Sequence, residues 1–475
     1  MKKGFYITNS IPYVNAAPHI GHALEFVQSD AIKRYNELLG YETLLLCGAD
    51  ENALKNVQAA EKAGVPIQQF IDKNGELFLE LANKLNVHFD IFQKGSNKET
   101  HFPASQKLWE LCLKNGDIYK GKYEGLYCVG CETFYTRDEL NENGECFEHP
   151  GRTLDTVAED NYFFRLSKYQ NQLIHIIEEN EIKIYPEFRK KEVLSFLKKP
   201  LQDISISRSN ERAKNWGVPV PNDDSQRMYV WFDALNIYQS GIGFGWDEQK
   251  YKAWWPADVQ VIGKGIIRFH AVYWPAFLLS AGLTLPKSLF VHGYLTINGQ
   301  KMSKTLGNVI DPIEIIEKYG TDALRYYFLR EIPSTDDGDF SFARLQEVYD
   351  SDLANELGNL ITRVTTIAAI DNLTVEPTKP TTIYTSEVKT LIENFQFHRA
   401  LESIGRDIKG INKKVDAFAP WKKTKSERNQ FLTATLQKLN HIGYQLIPFI
   451  PSTAEKIQKA TSNKISKAEP LFPKK

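Results

Sequence analysis

The stretch from Lys3 to Asp50 limits the possible folds more than any other part of the chain. "KGFYITNSIPY" reads as a strand closed by a Pro-Tyr turn, and "HIGHALEFVQSDAIKRYNELLG" carries apolar residues at helical spacing up to a stop at Gly40. "YETLLLCGAD" is an unbroken apolar run. A half-buried strand alternates apolar and polar residues, so an unbroken run marks a strand covered on both faces, as in a parallel sheet. Strand, helix, strand in this order predicts the start of a doubly wound α/β fold. Helical patterning then continues to about residue 115. "VQVIGKGIIRFHAVYWPAFLLSAG" returns to strand and helix, and "SLFVHGYLTING" adds another strand. From about residue 345 the pattern is helical without strand alternation, which predicts a separate bundle.

At 475 residues the chain exceeds one ordinary core, so two to four domains are expected. Charged residues make up 25% and no apolar run reaches membrane-spanning length. The basic start "MKKGFYIT" leads straight into a strand, with no long apolar segment or cleavage site, so a cytoplasmic protein without a membrane partner is the expectation. A net charge of −1 argues against generalised polyanion binding. Residues 346–475 nevertheless hold 19 Lys+Arg against 14 Asp+Glu, which fits either a nucleic-acid contact or a lysine-rich helical surface.

The five cysteines are not spaced like a disulfide framework. Cys47 lies in the apolar run and reads as a core residue, and Cys112 reads as a helix residue. Cys128-x2-Cys131 and, fourteen residues on, Cys146-x2-His149 form two chelating pairs of the kind that hold tetrahedral Zn²⁺. Four protein ligands leave no open position, so the metal would be structural. These residues fall in a Gly- and aromatic-rich stretch, 118–160, that reads as an insertion.

His19 and His22 stand at i and i+3 at the start of the first helix, after Pro18 and around Gly21. A helix N-terminus attracts phosphate, and the two imidazoles share one face there. Pro18 suits a first helical turn, and Gly21 would let a nucleotide approach the backbone. Taken alone, His-x-x-His is as consistent with two surface histidines; "HIGY" at His441–Tyr444 follows no strand, has no second histidine and receives no function. A second stretch, "KMSKT" at Lys301–Thr305, places two lysines three apart in a glycine-flanked loop that can close over a triphosphate and neutralise leaving pyrophosphate.

"HIGH" in the first strand–helix turn followed by "KMSK" resembles the paired signatures of class I aminoacyl-tRNA synthetases. "IPYVNAAPHIGH", "CGADE", "YVWFDAL", "VIGKGIIRFHAVYWPA", "HGYLTINGQKMSKTLGNVIDP" and "DALRYYFLR" resemble the methionyl-tRNA synthetases over nearly the whole chain. That resemblance implies a Rossmann-like catalytic domain in two halves, 1–117 and 226–290, split by a zinc-knuckle insertion at 118–225. A linking segment with the lysine loop at 291–345 and an all-α anticodon-binding bundle at 346–475 would follow.

It also implies roles. His19, His22, Lys301 and Lys304 would act on ATP, with Gly263 and Gly265 near the nucleotide and Mg²⁺ accompanying it. Asp50, with backbone at Ile11, would hold the ammonium of L-methionine. Ser10, Tyr13, Trp231, Leu235, Tyr238, Ile266 and His270 would surround the thioether. Asn359, Arg363 and Trp421 would read the anticodon of initiator and elongator tRNA(Met). One structural Zn²⁺ would sit on Cys128, Cys131, Cys146 and His149. Two positions depart from many relatives: Thr305 replaces a serine but keeps a hydroxyl, and Gly265 replaces an acidic residue, which implies one ribose contact fewer and a higher KM for ATP. The end at Lys475, without the extra C-terminal tRNA-binding domain of longer relatives, implies a monomer. Two rival readings are a non-catalytic tRNA-binding paralogue and a synthetase for Leu, Ile, Val or Cys. The intact motif residues oppose the first. The shortness of 118–225 and the placement of the cysteines outside the active-site motifs oppose the second.

Overall fold

A computed structural model of the chain describes residues 4–130, 133–135, 140–146, 151, 154–302 and 309–473. The chain divides into two compact units, residues 1–18, 40–80 and 88–291 in the first and residues 19–39, 81–87 and 292–475 in the second.

The first unit is built on a six-stranded sheet with the order Ile91–Lys94, Glu42–Ala49, Gly4–Asn9, Val259–Gly263, Ser288–His292, Lys183–Tyr185. Gly4–Asn9 pairs in parallel with both of its neighbours, as Ser288–His292 does with Lys183–Tyr185. The sheet interior is apolar on both faces: Leu45, Leu46 and Cys47 are buried, as are Val261, Ile262, Leu289 and Phe290. From Gly4–Asn9 the strand order runs outward in one direction through Glu42–Ala49 and in the other through Val259–Gly263. Open parallel sheets bind ligands at such a reversal, beyond the carboxyl ends of the strands. Ser10, Asp50 and Gly263 stand at those three ends.

Two strands were not legible in the sequence. Ile91–Lys94 interrupts the stretch read as helical, and Lys183–Tyr185 joins the central sheet from within the stretch read as insertion. Both are short edge strands, with too few residues for a period to show. Antiparallel sheet begins at Ile118–Cys128, which pairs with Asp155–Phe164 from Ile118↔Phe164 to Tyr127↔Asp155 and, at its end, with Thr133–Tyr135. Cys128 closes the long strand, opposite Thr133.

The second unit is mostly helical. It opens with Ile20–Leu38 and includes Pro312–Tyr319, Thr321–Arg330, Asn359–Ile370, Phe397–Phe418, Lys425–Leu446 and Pro451–Ala460. Residues 345–473 contain one two-residue strand pair, Thr374–Val375 with Asn463–Lys464. A further small sheet, Gln300–Lys301, Leu295–Ile297, Gly338–Phe340, carries the first residue of the lysine motif. Cys112 lies in the helix His101–Lys114, as expected; burial pushes its thiol up to about 12 and it donates to Phe277 O, so it is unsuited to metal. His441 lies inside Lys425–Leu446 and binds Ile383 O at 2.7 Å, a structural role. Among the described residues no helix is long and apolar enough to cross a membrane.

Candidate active site

The first unit gathers the residues expected around an amino acid. Asp50 follows the strand Glu42–Ala49, donates its N–H to Pro12 O at 2.9 Å and forms a parallel bridge with Tyr13. It is only 2% exposed. The Tyr13 ring meets Trp231 edge-on at 6.2 Å between centroids. Trp231 lies in the five-residue helix Val230–Ala234 and stacks on Phe269 at 3.7 Å and 6°. Leu235 and Tyr238 are buried just beyond it, and Ser10, Ile11 and Ile266 are partly buried. A buried carboxylate is therefore joined, through Tyr13, to an aromatic wall.

His270 occupies a π-helical turn, Phe269–Tyr273. Its Nδ1 lies 2.9 Å from Ile266 O and its Nε2 2.8 Å from the Tyr238 hydroxyl. A carbonyl can only accept, so Nδ1 carries the proton and the Nε2 of the neutral ring accepts from Tyr238. This fixes the ring and aims the tyrosine hydroxyl hydrogen at it. Two neighbours escaped the sequence reading. Phe269 adjoins His270 in the chain but carries no polar signal, and Lys55 lies with Nζ 2.9 Å from the Tyr13 ring centroid while donating to Gly130 O.

The second unit carries the histidine motif. The helix starts at Ile20, with His19 as its N-cap and Pro18 one residue before it, so the proline is outside the first turn where the sequence placed it. His19 Nδ1 accepts from the Gly21 N–H at 3.1 Å, and His22 Nδ1 accepts from the His19 N–H at 3.1 Å. This is a capping box made from two imidazoles. The helix end is thus not the bare N–H cradle expected from the sequence: the Gly21 N–H is held by His19, and the Ile20 N–H donates to Ile310 O. What the motif offers an anion is the rings themselves. Each Nδ1 is an acceptor, so each neutral ring bears its proton on Nε2. The rings lie 4.0 Å apart between centroids. Burial, then the neighbouring His19, holds the His22 imidazole well below its ordinary pKa, so His22 is a neutral donor.

Gly21 also has a different reason from the one expected. A Cβ there would lie 3.0 Å from His19 Cε1, and 3.4 Å from Met302 Cε. Glycine is what allows the cap ring to close. Met302 and Ile310, on either side of the lysine loop, both lie against the first helical residues. Lys304 and Thr305 lie outside the described residues, and Lys301 is described through its strand backbone alone.

Gly263 ends a central strand, and Gly265 is exposed in the turn Lys264–Ile266. Cys128 and Cys146 are both buried, the latter with Sγ 3.3 Å from the Tyr135 hydroxyl; Cys131 and His149 lie outside the described residues. In the helical region Asn359 is exposed, Arg363 donates to Asp416 at 2.6 Å and Asn412 at 3.0 Å, and Trp421 is 52% exposed. Arg363 therefore reaches the helix Phe397–Phe418 five residues before Trp421.

A buried carboxylate beside an aromatic wall, at the strand-order reversal of an open parallel sheet, is the ligand-binding architecture of an α/β enzyme domain. The family model "tRNA synthetases class I (M)" matches residues 5–365. The chain is 40% identical to the methionine–tRNA ligase of Thermotoga maritima over 96% of its length and 75% of the relative's. It is 39% identical to that of Brucella suis over 96% of its length and 91% of the relative's. A crystal structure of Mycobacterium tuberculosis methionyl-tRNA synthetase bound by methionyl-adenylate, 35% identical, superposes with a TM-score of 0.91 over 99% of this chain and 100% of the other. The chain belongs to the methionine–tRNA ligases, a family of class I tRNA synthetases.

Proposed function

We propose that the protein activates L-methionine with ATP and transfers the methionyl group to the 3′ end of tRNA(Met), supplying both initiation and elongation. The observation that carries this reading is the continuity of Asp50, Tyr13 and Trp231: a buried carboxylate at one end and stacked aromatic walls at the other match an ammonium and an apolar, polarizable side chain. Ile11 backbone assists Asp50. Ser10, Leu235, Tyr238, Ile266 and His270 complete the pocket.

A methionine carboxylate oxygen attacks the α-phosphorus in line. The bond to the bridging oxygen breaks, pyrophosphate leaves with the electron pair, and methionyl-adenylate remains. His19 and His22 donate Nε2–H to phosphate oxygens; Lys301 and Lys304 neutralise the charge that gathers on pyrophosphate. Gly263 and Gly265 lie against the nucleotide, which arrives with Mg²⁺. Catalysis is positioning plus charge stabilisation, with no covalent enzyme intermediate. A 3′-terminal ribose hydroxyl of the tRNA then attacks the carbonyl carbon, and AMP departs.

Cys128 and Cys146 fit one structural Zn²⁺ because they are buried thiols in a small insertion outside the central sheet; Cys131 and His149 would complete the set. Asn359, Arg363 and Trp421 fit the anticodon. We read the enzyme as a cytoplasmic monomer. ATP–pyrophosphate exchange run with each amino acid in turn is the decisive test: exchange driven by methionine is expected, and exchange driven instead by Leu, Ile, Val or Cys, or by none, would overturn the reading.

A further inference from the structure

The turn that carries Asp50 is tied to the helix that carries Trp231 through two residues with no assigned role. Asn52 Nδ2 donates to Asp233 Oδ2 at 2.5 Å and to Gly95 O at 2.8 Å. Asn52 is two residues from Asp50, and Asp233 is two residues from both Trp231 and Leu235. Asp233 is 1% exposed, and its Oδ1 has no hydrogen-bond partner among the described residues. His101 Nε2 approaches Oδ2 only to 3.5 Å, with its Nδ1 2.9 Å from Ser240 Oγ. Asn52 is thus the close donor to a deeply buried carboxylate, a position where a missing donor is costly.

The two sides of this bond differ in stiffness. The Asp50 turn is pinned along its backbone: Asp50 O accepts from Asn56 Nδ2 at 2.8 Å and Glu51 O from Trp216 Nε1 at 2.8 Å. Helix Val230–Ala234 has five residues and no side-chain N-cap. A helix that short has little stability of its own and takes its place from tertiary contacts. The Trp231–Phe269 stack and the buried Phe232 ring, packed on Trp109 and Phe277, seat the helix in the core. The Asn52–Asp233 bond is a polar tie from that helix to the turn carrying Asp50.

We propose that Asn52 and Asp233 are positioning residues for amino-acid selection, holding the aromatic wall at a set distance from the ammonium-binding carboxylate so that the pocket measures side-chain length. The inference rests on the methionine-activating reading above.

The test is amino-acid-dependent pyrophosphate exchange with Asn52→Ala, Asp233→Ala, the double variant and Asp233→Asn, using methionine and ethionine, the thioether one carbon longer. Losing a hydrogen bond to a charged group predicts a rise of about tenfold to a hundredfold in KM for methionine in each alanine variant. KM for ATP and kcat should stay within about threefold, and the preference for methionine over ethionine should shrink. Because the pair acts as one tie, the double variant should be little worse than the worse single variant. Asp233→Asn keeps an acceptor for Asn52 and should recover most of the loss. An unchanged KM for methionine overturns the proposal. So does a parallel fall of kcat and thermal stability in Asn52→Ala that Asp233→Asn shares, since that is the signature of general unfolding. Failure of the parent enzyme to exchange with methionine would instead overturn the functional reading.

Discussion

Arg325 Nη2 lies 2.7 Å from Asp30 Oδ2, with the two side chains 0% and 1% exposed. The same guanidinium donates to Phe449 O, Leu85 O and Pro448 O, so every nitrogen has a partner, and Asp30 also accepts from Arg34. Asp30 lies on the helix that begins with the two histidines, and the carbonyls at 448 and 449 follow the helix Lys425–Leu446. Arg325→Met leaves Asp30 with Arg34 alone and takes the donor from three carbonyls, so it should destabilise the fold by about 3–5 kcal/mol. Urea unfolding checks this, and Asp30→Asn/Arg325→Met should cost less than the two single changes added together.

His22 should give stability a recognisable pH dependence. Its folded-state pKa is lowered from the ordinary 6.5 by burial and by His19. Below that ordinary value the unfolded chain takes up a proton that the folded chain refuses, so stability falls as pH drops from about 6.5 towards the folded pKa and is regained on raising it. His22→Gln keeps an acceptor for the His19 N–H but cannot titrate. Unfolding midpoints measured from pH 7.5 to 5 should slope less in the variant than in the parent; equal slopes would mean that His22 protonates normally.

Lys304 should act on the transition state rather than on substrate binding. Lys304→Ala is expected to lower kcat for adenylate formation by about 10²–10³ while methionine affinity hardly changes. Pre-steady-state adenylate formation and methionine titration separate the two quantities. Collapse of methionine affinity with kcat intact would assign the lysine differently.

Metal analysis of the purified protein should find about one zinc per chain. Cys146→Ser should lose the metal and lower the Tm more than it changes the chemical step. A Cys128→Ser/Cys131→Ser double variant that kept full zinc occupancy would place the ion elsewhere.

Trp421 is 52% exposed, unusual for a large aromatic ring and suited to stacking an unpaired base. Stacking worth roughly 1–3 kcal/mol per base predicts a loss of about tenfold to a hundredfold in kcat/KM for tRNA in Trp421→Ala. Methionine-dependent pyrophosphate exchange without tRNA should stay near the parent rate. A parallel fall in both assays would show that the ring packs the helical region instead.

The sequence by itself determined the parts of this protein that are local and periodic. The unbroken run Tyr41–Asp50 announced a strand buried on both faces, Gly40 ended the helix before it, and the order of the histidine and lysine motifs announced the chemistry. Such signals survive in one dimension because burial on a given face repeats with a fixed period and because a motif keeps its spacing. Only the tertiary structure decided which groups meet. It turned His19 and His22 from a phosphate cradle into a reciprocal cap that sets their tautomers, and gave Gly21 the task of clearing the His19 ring. It brought Asn52 to Asp233 across 181 positions and Asp30 to Arg325 across 295. A period tells which face of an element is buried but not what covers it, and a hydrogen bond depends on tenths of an ångström that are set when separate elements pack.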